Sequence, residues 1–96
     1  MATDLIPPEN VMRVSGSTPS QAIANSIRML LFEEGRLPVI RAVGAGAVAQ
    51  VCKGIAIARG IVAVRGVDLA VSIGFDNIPG DDGKEISAQT FHLFLR

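Results

Sequence analysis

A glycine-rich segment at residues 44–49 has the residue types and spacing of a loop that holds phosphate groups. Its sequence, Gly-Ala-Gly-Ala-Val-Ala, matches the G-x-G-x-x-A fingerprint of dinucleotide-binding proteins, and it lies between a strand-like stretch and a helical pattern. Asp68 is at a suitable distance, but it begins a predicted strand instead of ending one, and the chain lacks a second mononucleotide-binding half. The pattern therefore favours a tight turn with close helix–sheet packing, leaves contact with a phosphate open, and gives little support to a dinucleotide site.

A second loop, Ser15 to Ser20, carries hydroxyl groups and also precedes a predicted helix. If the strands before the two loops are parallel neighbours, the loops lie side by side and each leads into a helix N-terminus. Free N–H groups and the positive end of the helix dipole make such a place suitable for a phosphate. The alternative is ordinary helix capping and a solvated helix face. The candidate phosphate-binding residues are Ser17, Thr18, Ser20, Arg41, Gly44, Gly46, Gln50 and Lys53.

The other residues that could do chemistry form neither a catalytic set nor a metal-binding set. Cys52 has no neighbour in the sequence that would activate it, and its helical position predicts a buried core thiol. His92 alternates within a predicted strand and is expected to be a packed or surface histidine. Asp81 and Asp82 lie in a turn without calcium-loop spacing. We therefore expect a non-enzymatic protein with no cofactor and no bound metal.

The net charge of zero conceals an uneven distribution along the chain. Residues 11–66 contain seven basic and two acidic residues, a net charge of +5, whereas residues 67–96 have a net charge of −3. An anionic partner should therefore bind the first of these two parts. The neutral total nevertheless differs from the basic excess of a dedicated nucleic-acid-binding protein.

The length of 96 residues predicts a single domain with one modest hydrophobic core. We expect residues 1–10 to form a tail and residues 11–96 to form the domain. A single cysteine excludes an intramolecular disulfide, no uncharged run is long enough to span a membrane, and the first residues lack the features of a signal peptide. These features predict a soluble cytoplasmic protein.

Hydrophobic periodicity and the positions of glycine and proline predict the element order βαβαββ. Thr18 and Gln21 form a capping-box signature for the first helix, with Pro19 at its first position. Gly35 is expected to end this helix and Gly60 the second one. The predicted strands cover residues 11–15, 37–43, 67–78 and 84–95, and the second helix covers residues 44–59. The resulting prediction is an α+β two-layer fold, in which two helices cover one face of a four-stranded mixed sheet whose first two strands are parallel.

The second helix carries a stripe of mostly small residues that suits close packing on a sheet or a partner: Ala47, Val51, Gly54 and Ala58. The last strand is long and apolar. Together they predict more apolar surface than one small domain covers, so we expect a homodimer or a higher even oligomer.

Several segments form a combination that is specific to one family: Ile40–Val48, Gln50, Lys53, Ile55–Gly60 and Gly66–Leu69. On these residues the chain resembles the stage V sporulation protein S family over nearly all of residues 13–96. The family resembles the Alba-like fold, whose element order is also βαβαββ. Alba-like proteins bind DNA or RNA, usually as dimers, and the sporulation family is associated with control of spore development and septation. The resemblance therefore implies nucleic-acid binding.

The sequence departs from Alba proteins at three places that matter for binding. The loop from Ser15 to Ser20 has none of their lysines, and Val43 and Ala45 stand where they have arginines. The tip of the last hairpin, Asp81 to Glu85, is acidic where theirs is a basic arm. The leading prediction is a small nucleic-acid-binding regulatory protein. The alternatives are a regulatory protein–protein interaction module without nucleic-acid binding and, less favoured, a binder of a small phosphorylated ligand at the glycine loop.

Overall fold

Six secondary-structure elements follow one another in the computed structural model, which describes residues 10–96. They are β1 (Val11–Val14), α1 (Ser20–Glu34), β2 (Val39–Ala42), α2 (Ala45–Ala63), β3 (Leu69–Pro79) and β4 (Glu85–Leu95). The strands form one sheet in the order β1-β2-β4-β3, in which β1 and β2 are parallel and β4 is antiparallel to both its neighbours. The predicted α+β fold is confirmed. Of the predicted tail, residues 1–9 lie outside the described residues.

Both helices lie on one face of the sheet and bury its apolar side chains. Ile40 and Ala42 of β2 belong to this core, and Phe91 of β4, in register with Ile40, is buried with them. Burying a side chain such as Phe91 contributes about 1.5–3 kcal/mol. Because side chains alternate along a strand, Arg41 points to the other face. We call that other face the open face, because neither helix covers it; Arg13 is exposed there, Arg41 and His92 are half-buried, and Thr90 is buried.

The start of α1 differs from the prediction. Pro19, with φ −64° and ψ 135°, is the N-cap, and no side chain caps the helix. The Thr18 hydroxyl instead accepts a hydrogen bond from the backbone N–H of Ser15 at 3.0 Å, which closes a turn before the helix. The capping-box prediction is therefore wrong, because Thr18 lies one residue too early. The predicted end is confirmed by Gly35, which adopts a left-handed φ of 68°.

The end of α2 also differs, because the helix continues through Gly60 to Ala63. Gly60 is exposed, whereas Val62 on the added turn is fully buried. Burying a valine contributes about 1.5–3 kcal/mol, which exceeds the cost of about 1 kcal/mol for glycine in a helix interior. Tertiary packing therefore extends the helix past its local stop signal.

The stripe of small residues on α2 packs against α1. A Cβ atom on Gly54 would lie 2.7 Å from the Cβ atom of Ile23, so the two helices touch where only glycine fits. Ala47, Val51 and Ala58 are buried along the same stripe. The stripe is thus covered within the chain, and it offers no surface to a second copy.

By length and composition, α2 is the one helix among residues 10–96 that is apolar enough to cross a membrane, with a mean hydropathy of 1.4. Its buried residues pack on α1 and the sheet, while Lys53 and Arg59 are exposed. This is the pattern of a core helix in a globular domain, which agrees with the soluble protein expected from the sequence.

The β3–β4 hairpin projects beyond the rest of the sheet. Gln89 pairs with Ala42, the last residue of β2, so the four residues from there to Glu85 extend roughly 14 Å past β2. The predicted turn is confirmed at the tip, where the N–H of Gly80 donates to the carbonyl of Lys84 at 2.8 Å. On the helix side of the projecting part, Phe75 is 66% exposed.

Candidate phosphate-binding site at two helix N-termini

The loops after β1 and β2 touch each other at one end of the sheet, which we call the loop end. A Cβ atom on Gly46 would lie 3.6 Å from the Cα atom of Gly16, so the two backbones are in van der Waals contact. The parallel pairing of β1 and β2 causes this, because it places the carboxyl ends of both strands together. The structure thus has the side-by-side loops expected from the sequence.

Both helices begin at the loop end with N–H groups that no side chain caps. Gly44 adopts φ 89°, a left-handed conformation that favours glycine, and turns the chain from β2 into α2. Its carbonyl accepts the first hydrogen bond of α2, from Val48 at 3.1 Å, so the N–H groups of residues 45–47 have no acceptor within the helix. Neither helix has an acidic residue in its first turn. The helix dipoles therefore leave two adjacent regions of partial positive charge.

The hydroxyl groups of the first loop form a local cluster. The Ser15 hydroxyl shares hydrogen bonds with the hydroxyls of Ser17 at 3.0 Å and Thr18 at 3.2 Å. These bonds hold the loop in shape and leave Ser17 exposed to solvent. Ser20 is the first residue of α1 and is half-buried beside them.

Gln50 joins the two halves of the site. Its Nε2 atom donates a 2.7 Å hydrogen bond to the carbonyl of Thr18, which ties α2 to the loop before α1. This bond gives Gln50 a positioning role in the loop end. Lys53, one turn further along α2, is exposed and keeps its charge in solvent.

Arg41 is the one candidate residue that the structure places elsewhere. Its side chain lies on the open face, because Ile40 and Ala42 on either side of it point to the helices. The other seven candidates lie on the helix side of the sheet: Ser17, Thr18, Ser20, Gly44, Gly46 and Gln50 are at the loop end, and Lys53 is about two turns beyond the first residue of α2. On the open face Arg41 is in register with Arg13, a residue that the sequence reasoning missed. The period-two alternation of the first two predicted strands was the signal that could have found this pair.

Asp68, the candidate acid of a dinucleotide site, lies at the opposite end of the sheet. It precedes Leu69, which pairs with Leu95 at the far end of β4. One carboxylate oxygen accepts a hydrogen bond from Arg59 at 3.2 Å and the other from Arg96 at 3.0 Å. These bonds, that of Arg96 first, hold the pKa of Asp68 below its ordinary value. Asp68 thus joins α2 to the end of β4, and this geometry argues against the dinucleotide interpretation.

Cys52 is exposed, so the prediction of a buried thiol is wrong: the buried side of α2 follows Val51 and Ile55 and leaves Cys52 at its margin. Among residues 10–96, no group of three or more His, Cys, Asp or Glu is placed to hold a metal ion.

The fold and the loop end together define a two-layer βαβαββ domain with two helix N-termini exposed side by side. Residues 10–96 match the family model of stage V sporulation protein S, and the chain belongs to this family. The protein is accordingly a small regulatory protein related to sporulation.

Proposed function

We propose that this protein is a non-enzymatic, cytoplasmic regulator that binds the phosphate backbone of DNA or RNA at the loop end. The observation that carries the proposal is the contact between the two loops at Gly16 and Gly46, which brings two uncapped helix N-termini together. Helix N-termini of this kind bind phosphates through backbone N–H groups and the helix dipole. The +5 net charge of residues 11–66 gives further support.

The proposed contacts read no base sequence. Backbone N–H groups of the exposed residues 45 and 46, the hydroxyl of Ser17 and the ammonium group of Lys53 all suit phosphate oxygens. Thr18, Ser20, Gly44, Gly46 and Gln50 shape the loops that present them. Such contacts position a protein on nucleic acid without specifying a sequence.

We further propose that the protein acts as a homodimer or a higher even oligomer. Ile73 and Phe75 on the helix side of the hairpin are 62% and 66% exposed. They continue an apolar groove of about 250 Å³ between α2 and the sheet, to which Cys52 and Ile55 contribute. A second copy would cover this surface and would double the phosphate contacts. Light scattering at micromolar concentration should give at least a dimer, and a monomer would contradict this part of the proposal.

A salt titration tests nucleic-acid binding most directly. Anisotropy of labelled duplex DNA and of labelled RNA is measured with the wild type and with Lys53→Ala between about 50 and 200 mM salt. We expect Lys53→Ala to weaken binding equally for all sequences and to reduce the salt slope by at most about one. The control is Arg65→Ala, which removes an exposed charge just beyond the last residue of α2, at the opposite end of that helix from the loop end.

The alternative function is a protein–protein interaction module that binds no nucleic acid. Its support is the acidic hairpin tip, where Asp81, Asp82 and Glu85 are all exposed, together with the net charge of zero. If neither DNA nor RNA binds at the lowest salt concentration, the nucleic-acid proposal fails and this alternative is favoured.

A further inference from the structure

The open face carries a row of residues that crosses all four strands in register. Arg13 of β1 is paired with Arg41 of β2, Arg41 with Thr90 of β4, and Thr90 with Gly74 of β3. Paired residues of neighbouring strands point to the same face and lie about 4.8 Å apart in the hydrogen-bonding direction. Two guanidinium groups and a hydroxyl are therefore placed side by side.

Within residues 10–96, neither arginine of this row has an acidic partner. The three ion pairs among residues 10–96 join Glu34 to Arg36 and Asp68 to Arg59 and Arg96, so none involves Arg13 or Arg41. Like charges directly opposite each other on neighbouring strands destabilise a sheet. A group that is negatively charged and small enough to lie between them would remove this repulsion.

Two buried donors next to each other have no acceptor. The Nε atom of Arg41 and the Oγ1 atom of Thr90 are both buried, and neither makes a hydrogen bond. Thr90 is 1% exposed, and its neighbour in the row on the side away from Arg41 is Gly74, which has no side chain to accept a hydrogen bond. Buried polar groups in folded proteins are nearly always paired, so two adjacent exceptions point to a missing acceptor. An oxyanion can accept from an arginine N–H and from a hydroxyl at once.

We propose that the open face binds a phosphate group at Arg13 and Arg41, and that a rotation of the half-exposed Arg41 side chain opens the buried Arg41 Nε and Thr90 Oγ1 to one phosphate oxygen. The outer N–H groups of Arg41, which is half-exposed, and those of the exposed Arg13 hold the remaining oxygens. This site lies on the opposite side of the sheet from the helices and shares no residue with the loop end. A failure of the nucleic-acid proposal would therefore leave this proposal unaffected.

The test uses inorganic phosphate as the probe, with chloride at matched ionic strength as the reference. In ¹⁵N–¹H spectra of the full chain, the Nε–H signal of Arg41 should shift saturably with phosphate. The internal control is the Nε–H of Arg59, which already donates to the carbonyl of Leu69 at 2.8 Å and should not shift saturably. Absence of a saturable shift at Arg41 would overturn the proposal.

Two variants make the test specific to the row. Thr90→Val keeps the shape of the side chain and removes the hydroxyl, and Arg13→Gln removes one charge. We expect each to weaken phosphate binding about tenfold or more, because charge-assisted hydrogen bonds contribute that much. Both should unfold at a higher temperature than the wild type in chloride and should lose most of that advantage in phosphate. If both variants bind phosphate as tightly as the wild type, the row is not the site.

The source of the phosphate is settled by a second titration with short duplex DNA at the same phosphate concentration. A similar shift at Arg41 assigns the site to the backbone of a nucleic acid, whereas a shift with inorganic phosphate alone assigns it to a small free anion. Lys53→Ala separates this site from the loop end, because it should weaken binding at the loop end and leave the phosphate response of Arg41 unchanged.

Discussion

The two ends of the sheet differ in whether their charged and polar groups have partners. At the loop end, two helices start without a capping side chain and without an acidic residue in the first turn. At the other end, Asp68 accepts hydrogen bonds from Arg59 and Arg96, and the backbone N–H of Arg96 donates to the Asp68 carbonyl at 2.9 Å. The loop end therefore has backbone N–H donors that no side chain caps, whereas the charged residues of the other end pair with one another and connect α2 to the end of β4.

The contrast shows which charged residues of this chain are available to a ligand. Arg59 and Arg96 count toward a basic composition, yet both are engaged with Asp68. The backbone N–H groups of residues 45–47 carry no formal charge, yet they have no acceptor within their helix. A count of lysines and arginines therefore underestimates the number of groups available to an anion at the loop end and overestimates that number at the opposite end.

The largest effect is expected from Gly54→Ala, which tests whether α1–α2 packing holds the two N-termini together. The added Cβ would lie 2.7 Å from the Cβ and Cγ2 atoms of Ile23, so the helices must separate. Overpacking of this kind costs about 1–3 kcal/mol, which exceeds the helix-propensity gain of up to about 1 kcal/mol. Denaturant unfolding should show the loss of stability, and binding to DNA should weaken with it.

Gly60→Ala is the matched control for this substitution. A Cβ atom there meets nothing within 4 Å, and the residue is exposed inside the same helix. Its free energy of unfolding should rise by up to about 1 kcal/mol. If Gly54→Ala is as stable as Gly60→Ala, the close approach of α1 and α2 does not hold the loop end together.

The second effect comes from Ala45→Glu, which adds a carboxylate to the first turn of α2. The helix dipole should make the variant more stable, by about 0.3–1 kcal/mol. The same carboxylate would repel and displace a phosphate, so affinity for DNA should fall about tenfold. Stability and binding then move in opposite directions, which thermal unfolding and anisotropy measure separately. Ala45→Gln, which lacks the charge, should keep most of the affinity; an equal loss in both variants would contradict a site at these N–H groups.

The third effect concerns the acidic hairpin tip, which projects from the loop end. Asp81→Lys with Asp82→Lys should raise affinity for DNA several-fold at low salt. The tip extends roughly 14 Å past β2, which is longer than the screening distance of about 8 Å at physiological salt. The gain should therefore vanish at physiological salt if only the loops bind, and persist if nucleic acid also follows the hairpin.

The control for the tip is Glu33→Lys with Glu34→Lys, which changes the net charge equally at the end of α1. A pull-down with the same variants tests the alternative function. Loss of a basic protein partner in the tip variant, with no binding of nucleic acid by either protein, would favour the interaction module.

The smallest effect is expected at the opposite end of the sheet, from Asp68→Asn. Because the folded-state pKa of Asp68 is lowered from its ordinary value of 3.8, its ionised form stabilises the fold above that pH. This contribution is lost as the pH falls through the folded-state value. Asp68→Asn should therefore be slightly less stable at neutral pH and equal to the wild type in strong acid, as urea unfolding at several pH values would show. A change in DNA binding would contradict the separation of the two ends.

Much of the fold could be predicted from local patterns. The alternation of residues 84–95 predicts β4, which is Glu85–Leu95, and the turn before it is where the glycine and aspartate residues indicate. The errors lie at helix ends. Thr18 has the residue type of an N-cap, but Pro19 takes that position, and Gly60 has the residue type of a stop, but burial of Val62 carries the helix past it.

The candidate site could be predicted only in part, because the sequence does not show which face of the sheet the helices cover. Residue types and order were enough to expect two loops side by side, because a helical crossover makes β1 and β2 parallel. Proximity in sequence places Arg41 at those loops, whereas the alternation of side chains along β2 directs Arg41 to the open face. Helical spacing alone likewise predicts a core position for Cys52, because it does not show which side of α2 is covered by α1 and the sheet.

The element order, the parallel pairing of β1 and β2, and the family follow from the sequence, because they depend on periodicity, on the positions of glycine and proline, and on local motifs. Which hydrogen-bond donors are left without an acceptor depends on the tertiary structure. The pairing of Asp68 with Arg96 spans 28 residues, and the row from Arg13 to Gly74 joins four strands. Such contacts depend on sheet register and on which face the helices cover, and both are set by the packing of the whole domain.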